Sequence, residues 1–352
     1  GGTANLDYRL NDNSSLYLTG VFSRMKDHEN RRRLRHRVSR GEYQPDGSVT
    51  DGRLVFQHKN RKEYLNTLNL TAGGDHLFQS GINIDYHLGW TRSTEDTPFD
   101  NEIEFEQRGV DFFPDISDPE KIQANPEPGT IDGIYSHTEI DDGTSLVTNT
   151  DYVGAINLMF PYGFNGRATG ELKVGAKFRL KNKDQDIDEK LWELTDGADD
   201  IILGEDIGEP FSFENYSHEG YSFPSRVTSN EDVHEFIDKY HSVLKQDPDA
   251  TIEEDANEFD ITEQTIALYA MTEINLTPDL MLLPGVRFEQ TTLTTEGFDF
   301  DADAMSLSPV KDDNSYMKFF PMVHIRYRLT PMSNIRAAFT TAMSRPNFFE
   351  MA

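Results

Sequence analysis

Ile82-Asn83-Ile84-Asp85-Tyr86-His87-Leu88-Gly89-Trp90 alternates apolar and polar residues without a break. Successive side chains of a β-strand point to opposite faces. One face of this segment therefore carries Ile82, Ile84, Tyr86, Leu88 and Trp90, and the other Asn83, Asp85, His87 and Gly89. At 172–181, Leu172, Val174, Ala176, Phe178 and Leu180 oppose Lys173, Gly175, Lys177, Arg179 and Lys181. Further on, Val323, Ile325, Tyr327 and Leu329 oppose His324, Arg326 and Arg328. Weaker alternation at 3–10, 15–25, 61–71, 147–160, 258–276, 280–296 and 333–343 brings the expected strands to ten.

The connections carry as much information as the strands. Asn11-Asp12-Asn13-Ser14, a segment starting Ala72-Gly73-Gly74-Asp75, the stretch from Pro161 to Asn165, Thr277-Pro278-Asp279 and Thr330-Pro331-Met332 are all turn chemistry. Between them lie intervals of roughly 35, 56, 76 and 26 residues, where ordinary connections run to about six. Short and long alternate strictly. An up-and-down meander with its tight turns at one end and long loops at the other is the wiring of an outer-membrane β-barrel. A soluble β-sandwich also alternates its faces and is the competing architecture. Its strands are typically about five or six residues, and Greek-key wiring does not readily interleave five short turns with four long loops.

In the three clearest strands every Lys, Arg and Asp lies on the non-apolar face. That is the sorting a lipid-facing wall needs, since Arg or Lys on the lipid side at mid-bilayer costs about 2–4 kcal/mol. Aromatics at Phe160, Tyr162, Phe164, Phe319, Phe320 and Tyr327 could supply interfacial girdles, or reflect β-propensity alone. No apolar stretch approaches the roughly 18 residues of a spanning helix. The net charge of −29, from 62 acidic and 33 basic residues, argues against a nucleic-acid partner. The absence of cysteine excludes disulfide frameworks and thiol nucleophiles. The chain opens Gly1-Gly2-Thr3 and closes at Ala352 after an aromatic stretch, which reads as a fragment.

The stretch Phe320-Pro321-Met322-Val323-His324-Ile325-Arg326-Tyr327-Arg328-Leu329-Thr330, followed by Asn334-Ile335-Arg336-Ala337-Ala338-Phe339 and Ser344-Arg345-Pro346-Asn347-Phe348, resembles the barrel of TonB-dependent receptors. It is closest to their large, long-looped Gram-negative subgroup. Asn5-Leu6-Asp7-Tyr8-Arg9-Leu10, Leu16-Tyr17-Leu18-Thr19-Gly20 and Gly285-Val286-Arg287-Phe288-Glu289 resemble the same family. The resemblance implies a 22-stranded outer-membrane barrel whose lumen holds a plug and whose transport is driven by the TonB complex. On that reading residues 1–352 are a partial barrel without the plug or the remaining strands, inactive alone. Lys173, Lys177, Arg179, His324, Arg326 and Arg328 would face the lumen. The family's carbohydrate uptake suggests an oligosaccharide or other small extracellular ligand, and Trp192, Tyr216, Tyr221 and Phe223 of the largest loop could stack on it. Loop-internal packing explains those aromatics equally well.

The interval 184–260 holds 24 acidic residues and four Lys/Arg. Within it Ser229-Asn230-Glu231-Asp232 reads as a capping box opening a helix near 229–245 with Val233, Phe236, Ile237, Tyr240, Val243 and Leu244 at helical spacing. It is expected to pack on its own loop, with a ligand-gripping lid as the sharper alternative. Asp299-Phe300-Asp301-Ala302-Asp303 lacks the Gly and Glu of an EF-hand at its sixth and twelfth positions, which are Ala304 and Val310. The run Arg31-Arg32-Arg33-Leu34-Arg35-His36-Arg37 is a solvated face, or a contact to lipopolysaccharide phosphates or acidic loops. Metalloprotease, nucleophile-elbow and P-loop motifs are absent, so neither catalysis nor a cofactor is expected. Three readings stay open: a TonB-dependent transporter, a plain porin, and a secreted or surface β-sandwich that binds through its acidic loops.

Overall fold

The computed structural model describes residues 1–120, 122–164, 168–212 and 222–345. Ten antiparallel strands each pair with their sequence neighbours: β1 (Gly2–Asn11), β2 (Ser14–Arg37), β3 (Val49–Leu77), β4 (Asn83–Asp115), β5 (Ser136–Phe164), β6 (Ala168–Leu194), β7 (Phe259–Asn275), β8 (Leu280–Asp301), β9 (Ser306–Thr330) and β10 (Ser333–Thr340). Short strands at Glu42–Tyr43, Gln123–Pro126 and Leu244–Asp247 join β3, β4 and β6. Among the described residues, the one other sheet is the two-stranded pair Glu209–Pro210 with Arg226–Val227. The sheet is not closed: β1 pairs only with β2, and β10 only with β9.

The register decides between barrel wall and sandwich. Directly paired residues share a face. Tyr8, Leu16, Gly74, Tyr86, Ile156, Ala176, Leu268, Phe288 and Phe319 form one row across nine strands. The neighbouring row, on the opposite face, is Asp7, Tyr17, Gly73, His87, Ala155, Lys177, Ala267, Glu289 and Lys318. On the apolar face Leu6 is 64% exposed, Leu88 68% and Phe319 68%. A sandwich would bury those side chains against a second sheet. An exposed apolar face this wide needs another cover, and lipid is the cover that fits it.

Local chemistry sets the turns. Asn11 Oδ1 accepts from Asn13 N at 2.9 Å in the β1–β2 hairpin, and Thr277 Oγ1 accepts from Leu280 N at 3.0 Å in the β7–β8 hairpin. Ala72-Gly73-Gly74-Asp75 is not a turn. It lies within β3, and the reversal comes at 78–82, where Gly81 takes φ +83° and donates to Phe78 O. Gly73 and Gly175 have another use: a Cβ at either would run into a neighbouring tyrosine, Tyr17 or Tyr269, lying across the strand.

Three of the four long intervals are mostly strand: the ladders continue, leaving connections of only 38–48, 116–135 and 302–305, whereas 195–258 stays a long connection. At about 3.3 Å per residue, the 33-residue β4 is roughly 110 Å long, whereas a spanning strand uses about 9–11 residues. Strands β2 to β6 therefore rise far above the apolar belt. Alternation in sequence stops there because the extension is covered and charged on different terms from the belt, while backbone pairing needs no alternation. In β4 an extra residue between Asp96 and Phe99 also shifts the phase, so odd-numbered Phe99, Asn101, Ile103 and Phe105 replace even-numbered residues on the apolar face.

Candidate functional site: the two faces of the strand extension

β2 and β3 pair without a register shift from Ser14–His76 to Arg37–Arg53, so one face can be followed from the belt to the top. Above the belt the continuation of the apolar face is covered by the 116–135 and 195–258 segments. Helix α1 (Asn230–Tyr240) starts at Ser229, whose hydroxyl accepts from Asp232 N while Asp232 accepts from Ser229 N. The expected capping box is present, and a second helix, α2 (Pro248–Asp255), was not foreseen. Rather than packing only on its own loop, α1 buries Val233 and Phe236 against the strands. Phe236 lies 4.7 Å from the His137 ring and 6.4 Å from Phe105, and His234 lies 4.4 Å from Phe99. Leu54, Phe56, Ile103, Ile140, Leu203 and Val227 complete this core.

Two histidines are buried in it. His58 Nδ1 lies 2.7 Å from Thr228 Oγ1 and Nε2 lies 3.1 Å from Asn30 Oδ1. Burial, reinforced by Arg32, depresses its pKa to about 4. His137 is enclosed by Phe105 and Phe236, and burial depresses its pKa to about 4 against the weaker opposing pull of a hydrogen bond with the Glu139 backbone.

The opposite face of the same strands is ionised. Arg31 pairs with Glu29 at 3.0 Å and Glu102 at 3.4 Å, and Arg35 and Arg37 reach Glu104 at 3.0 and 3.4 Å. Gln57 Nε2 donates to Glu104 at 2.7 Å, Arg53 Nη1 reaches Glu106 at 3.0 Å, and Lys59 reaches Asp100 at 2.7 Å. Alternation thus splits the basic run. Arg31, Arg35 and Arg37 meet acidic residues of β4, while Arg32 faces the other way and donates to Thr228 O at 3.1 and 3.0 Å. Acidic residues prevail toward β5 and β6. Burial and Glu139 push the Glu104 carboxyl up against the pull of its arginines. Asp141 is pushed up to about 7, by burial first and then by Glu139, Glu189 and Glu102.

Lys173, Lys177, Arg179, His324, Arg326 and Arg328 all lie on the ionised face, at belt height. Arg179 Nε donates to Asp151 Oδ2 at 2.9 Å, and Arg326 stands opposite Arg336. They are spread from β6 to β9 rather than gathered into one pocket. Trp192 packs beside His241 at the edge of the cap, and Phe223 packs on Phe56 at 6.0 Å and Phe211 at 5.9 Å. Tyr216 and Tyr221 lie outside the described residues, as do Pro346, Asn347 and Phe348. Arg345 reaches Glu289 at 2.7 Å and Glu263 at 3.8 Å. Sequence reading had no signal for that pairing, nor for the acid cluster around Asp141, in a chain so rich in carboxylates. Asp301 Oδ1 accepts from Asp303 N and Ala304 N at 3.0 Å each, so this aspartate serves the β8–β9 turn.

The family model for the TonB dependent receptor-like β-barrel matches residues 1–352. No curated protein matches the chain. Among solved structures, the siderophore receptor PiuA from Acinetobacter baumannii is 10% identical with a TM-score of 0.36, covering 96% of this chain and 46% of its own. The open form of the ferric-catecholate import receptor Fiu from E. coli K12 is 12% identical with a TM-score of 0.40, covering 98% and 52%. The unliganded ferric citrate transporter FecA is 10% identical with a TM-score of 0.30, covering 96% and 42%. The chain spans about half the length of these structures. It belongs to the β-barrel family of TonB-dependent receptors, which are receptors and transporters of the Gram-negative outer membrane.

Proposed function

We propose that the intact receptor takes up a scarce nutrient across the outer membrane using energy delivered by the TonB complex, and that this chain supplies ten wall strands and part of the extracellular rim. The observation that carries this reading is the register: a row without a single charge beside a row that carries Asp7, Lys177, Glu289 and Lys318, over nine strands. The apolar face meets outer-membrane lipid and lipopolysaccharide. The ionised face, with Lys173, Lys177, Arg179, His324, Arg326 and Arg328, lines the lumen and meets a plug domain outside residues 1–352. A plain porin has no such plug.

For the substrate we favour an oligosaccharide. The rim's inner face is acidic toward β5 and β6, which opposes polyanionic chelates, whereas carboxylates and arginines together offer a neutral polyol both acceptors and donors. Trp192 and Phe223 then act by holding the cap rather than by stacking on a sugar. The test is uptake by cells carrying the intact gene. Loss of oligosaccharide uptake on deleting either the receptor or TonB supports the reading, and undiminished uptake without TonB overturns it. If only ferric-chelate uptake is lost, the substrate class falls and the transporter stands. For the lipid-facing wall, Val174→Arg is expected to block outer-membrane assembly, and normal assembly would favour the soluble alternative.

A further inference from the structure

Just above the belt, the apolar face turns net cationic on one side of the sheet only. Going up β2–β4, the rows read Gly20-Leu70-Trp90, Phe22-Leu68-Arg92, Arg24-Asn66-Thr94, Lys26-Tyr64-Asp96 and His28-Lys62-Phe99. Consecutive rows are about 7 Å apart along the strand. Arg24, Lys26, Lys62 and Arg92 thus crowd into four successive rows on a chain with almost twice as many acids as bases. Among the described residues none of the four has a carboxylate within ion-pair distance, although Asp96 stands in the Lys26 row and Asp184 lies close enough to Arg92 to feel its charge. Arg24 and Lys62 flank one ring, 5.1 and 5.2 Å from the centroid of Tyr64. At the same height on β6 and β7 the face is acidic, with Asp184, Asp186 and Asp260.

Directly below the cations is a shallow depression of about 430 Å³ between Leu18, Leu70, Leu88, Trp90, Tyr152 and Phe178. Its floor is low because Ala72 and Gly154 flank Leu88 in its row. The basic run at Arg31–Arg37 is not this surface: Arg31, Arg35 and Arg37 are taken up by Glu29, Glu102 and Glu104 on the opposite face, and Arg32 by the cap.

We propose that this sector seats one phosphorylated, multiply acylated lipid of the outer leaflet, its acyl chains in the depression and its phosphates on Arg24, Lys26, Lys62 and Arg92. The proposal rests on the reading that the apolar face meets lipid. Four mutually repelling cations next to apolar surface fit an amphiphile whose charge and chains are joined at this spacing. The acidic β6–β7 sector excludes the same headgroup, so the seat is one-sided.

The test is binding of diphosphoryl lipid A to the purified intact receptor in detergent, followed by native mass spectrometry, with dephosphorylated lipid A and inorganic phosphate as separate probes. Diphosphoryl lipid A is expected to bind best and to resist displacement by millimolar inorganic phosphate. Loss of one cation, in Lys62→Gln or Arg92→Gln, is expected to weaken it about fivefold, and loss of all four about a hundredfold or more. These positions are exposed or half-exposed, and the single variants serve if the quadruple variant fails to assemble. Equal binding of dephosphorylated lipid A, or unchanged affinity in the variants, overturns the seat. Full displacement by inorganic phosphate overturns it too, leaving a bare anion site. If Val174→Arg assembles normally, the lipid-facing reading itself has failed. If Val174→Arg blocks assembly while the cation variants bind as before, only the seat falls.

Discussion

Leu70 and Phe56 stand on the same face of the same strand, yet Leu70 is 42% exposed and Phe56 is fully buried. The difference is the solvent. At belt height the face is left bare for lipid, whereas above it the chain supplies its own cover from 116–135 and 195–258. The strand's backbone is the same in both places. One apolar stripe is read twice, first by the bilayer and then by α1.

The largest effect is expected at the belt. Val174→Arg puts a charge on the bare face and is expected to cost about 2–4 kcal/mol at mid-bilayer, enough to abolish folded, heat-modifiable receptor in outer-membrane fractions. Lys177→Glu, three residues on but facing the other way, should leave assembly unchanged in the same assay.

Phe236→Ala attacks the self-supplied cover. Truncating a buried phenylalanine costs about 3–5 kcal/mol. The loss should be confined to the cap, read as faster hydrogen exchange and protease cleavage in 195–258 with the belt still protected.

The next effect is pH-dependent. His58 and His137 titrate near 4 in the folded cap and near 6.5 when released, so the open form binds protons first. Their contribution is complete above about pH 6.5 and is lost as pH falls toward 4. Exchange in the cap should therefore quicken over that window, and His137→Phe should flatten the profile. On the opposite face the sign reverses. Asp141 titrates near 7 when folded and near 3.8 when released, so the folded form binds the proton first and gains stability as pH falls from above 7 toward 4. Asp141→Asn should stabilise the rim most above pH 7, with the gain shrinking as pH falls and gone near pH 4. This is the smallest effect expected, and a fixed loss at both values would contradict it.

The belt was legible in sequence because lipid imposes a strict rule on every second residue of 82–90, 172–181 and 323–329. The capping box at Ser229 was legible because its chemistry is local. The extension was not. In β2, Asp27 to Arg37 alternates ionised residues against residues gripped by the cap, such as Arg32, which reads as a charged loop. In β4 one extra residue before Phe99 breaks the phase. Ala72-Gly73-Gly74-Asp75 looked like a turn because glycine is shared by turns and by strands that need room for a tyrosine. Trp192 and Phe223 looked like a ligand platform, since an aromatic buried by distant segments and one left open carry the same letter. Asp141 gave no signal at all, its raised pKa depending first on burial and then on Glu139 and Glu189, rather than on any motif.

The continued ladders have a consequence for life outside the cell. A protease must thread an unpaired, extended stretch of backbone through its cleft. From Arg53 to Lys62 the backbone of β3 is paired on both sides, with β2 and with β4. A receptor built this way can stand tall in an environment full of digestive enzymes, with cleavable backbone confined to a few connections and the densest of these wrapped around Phe236.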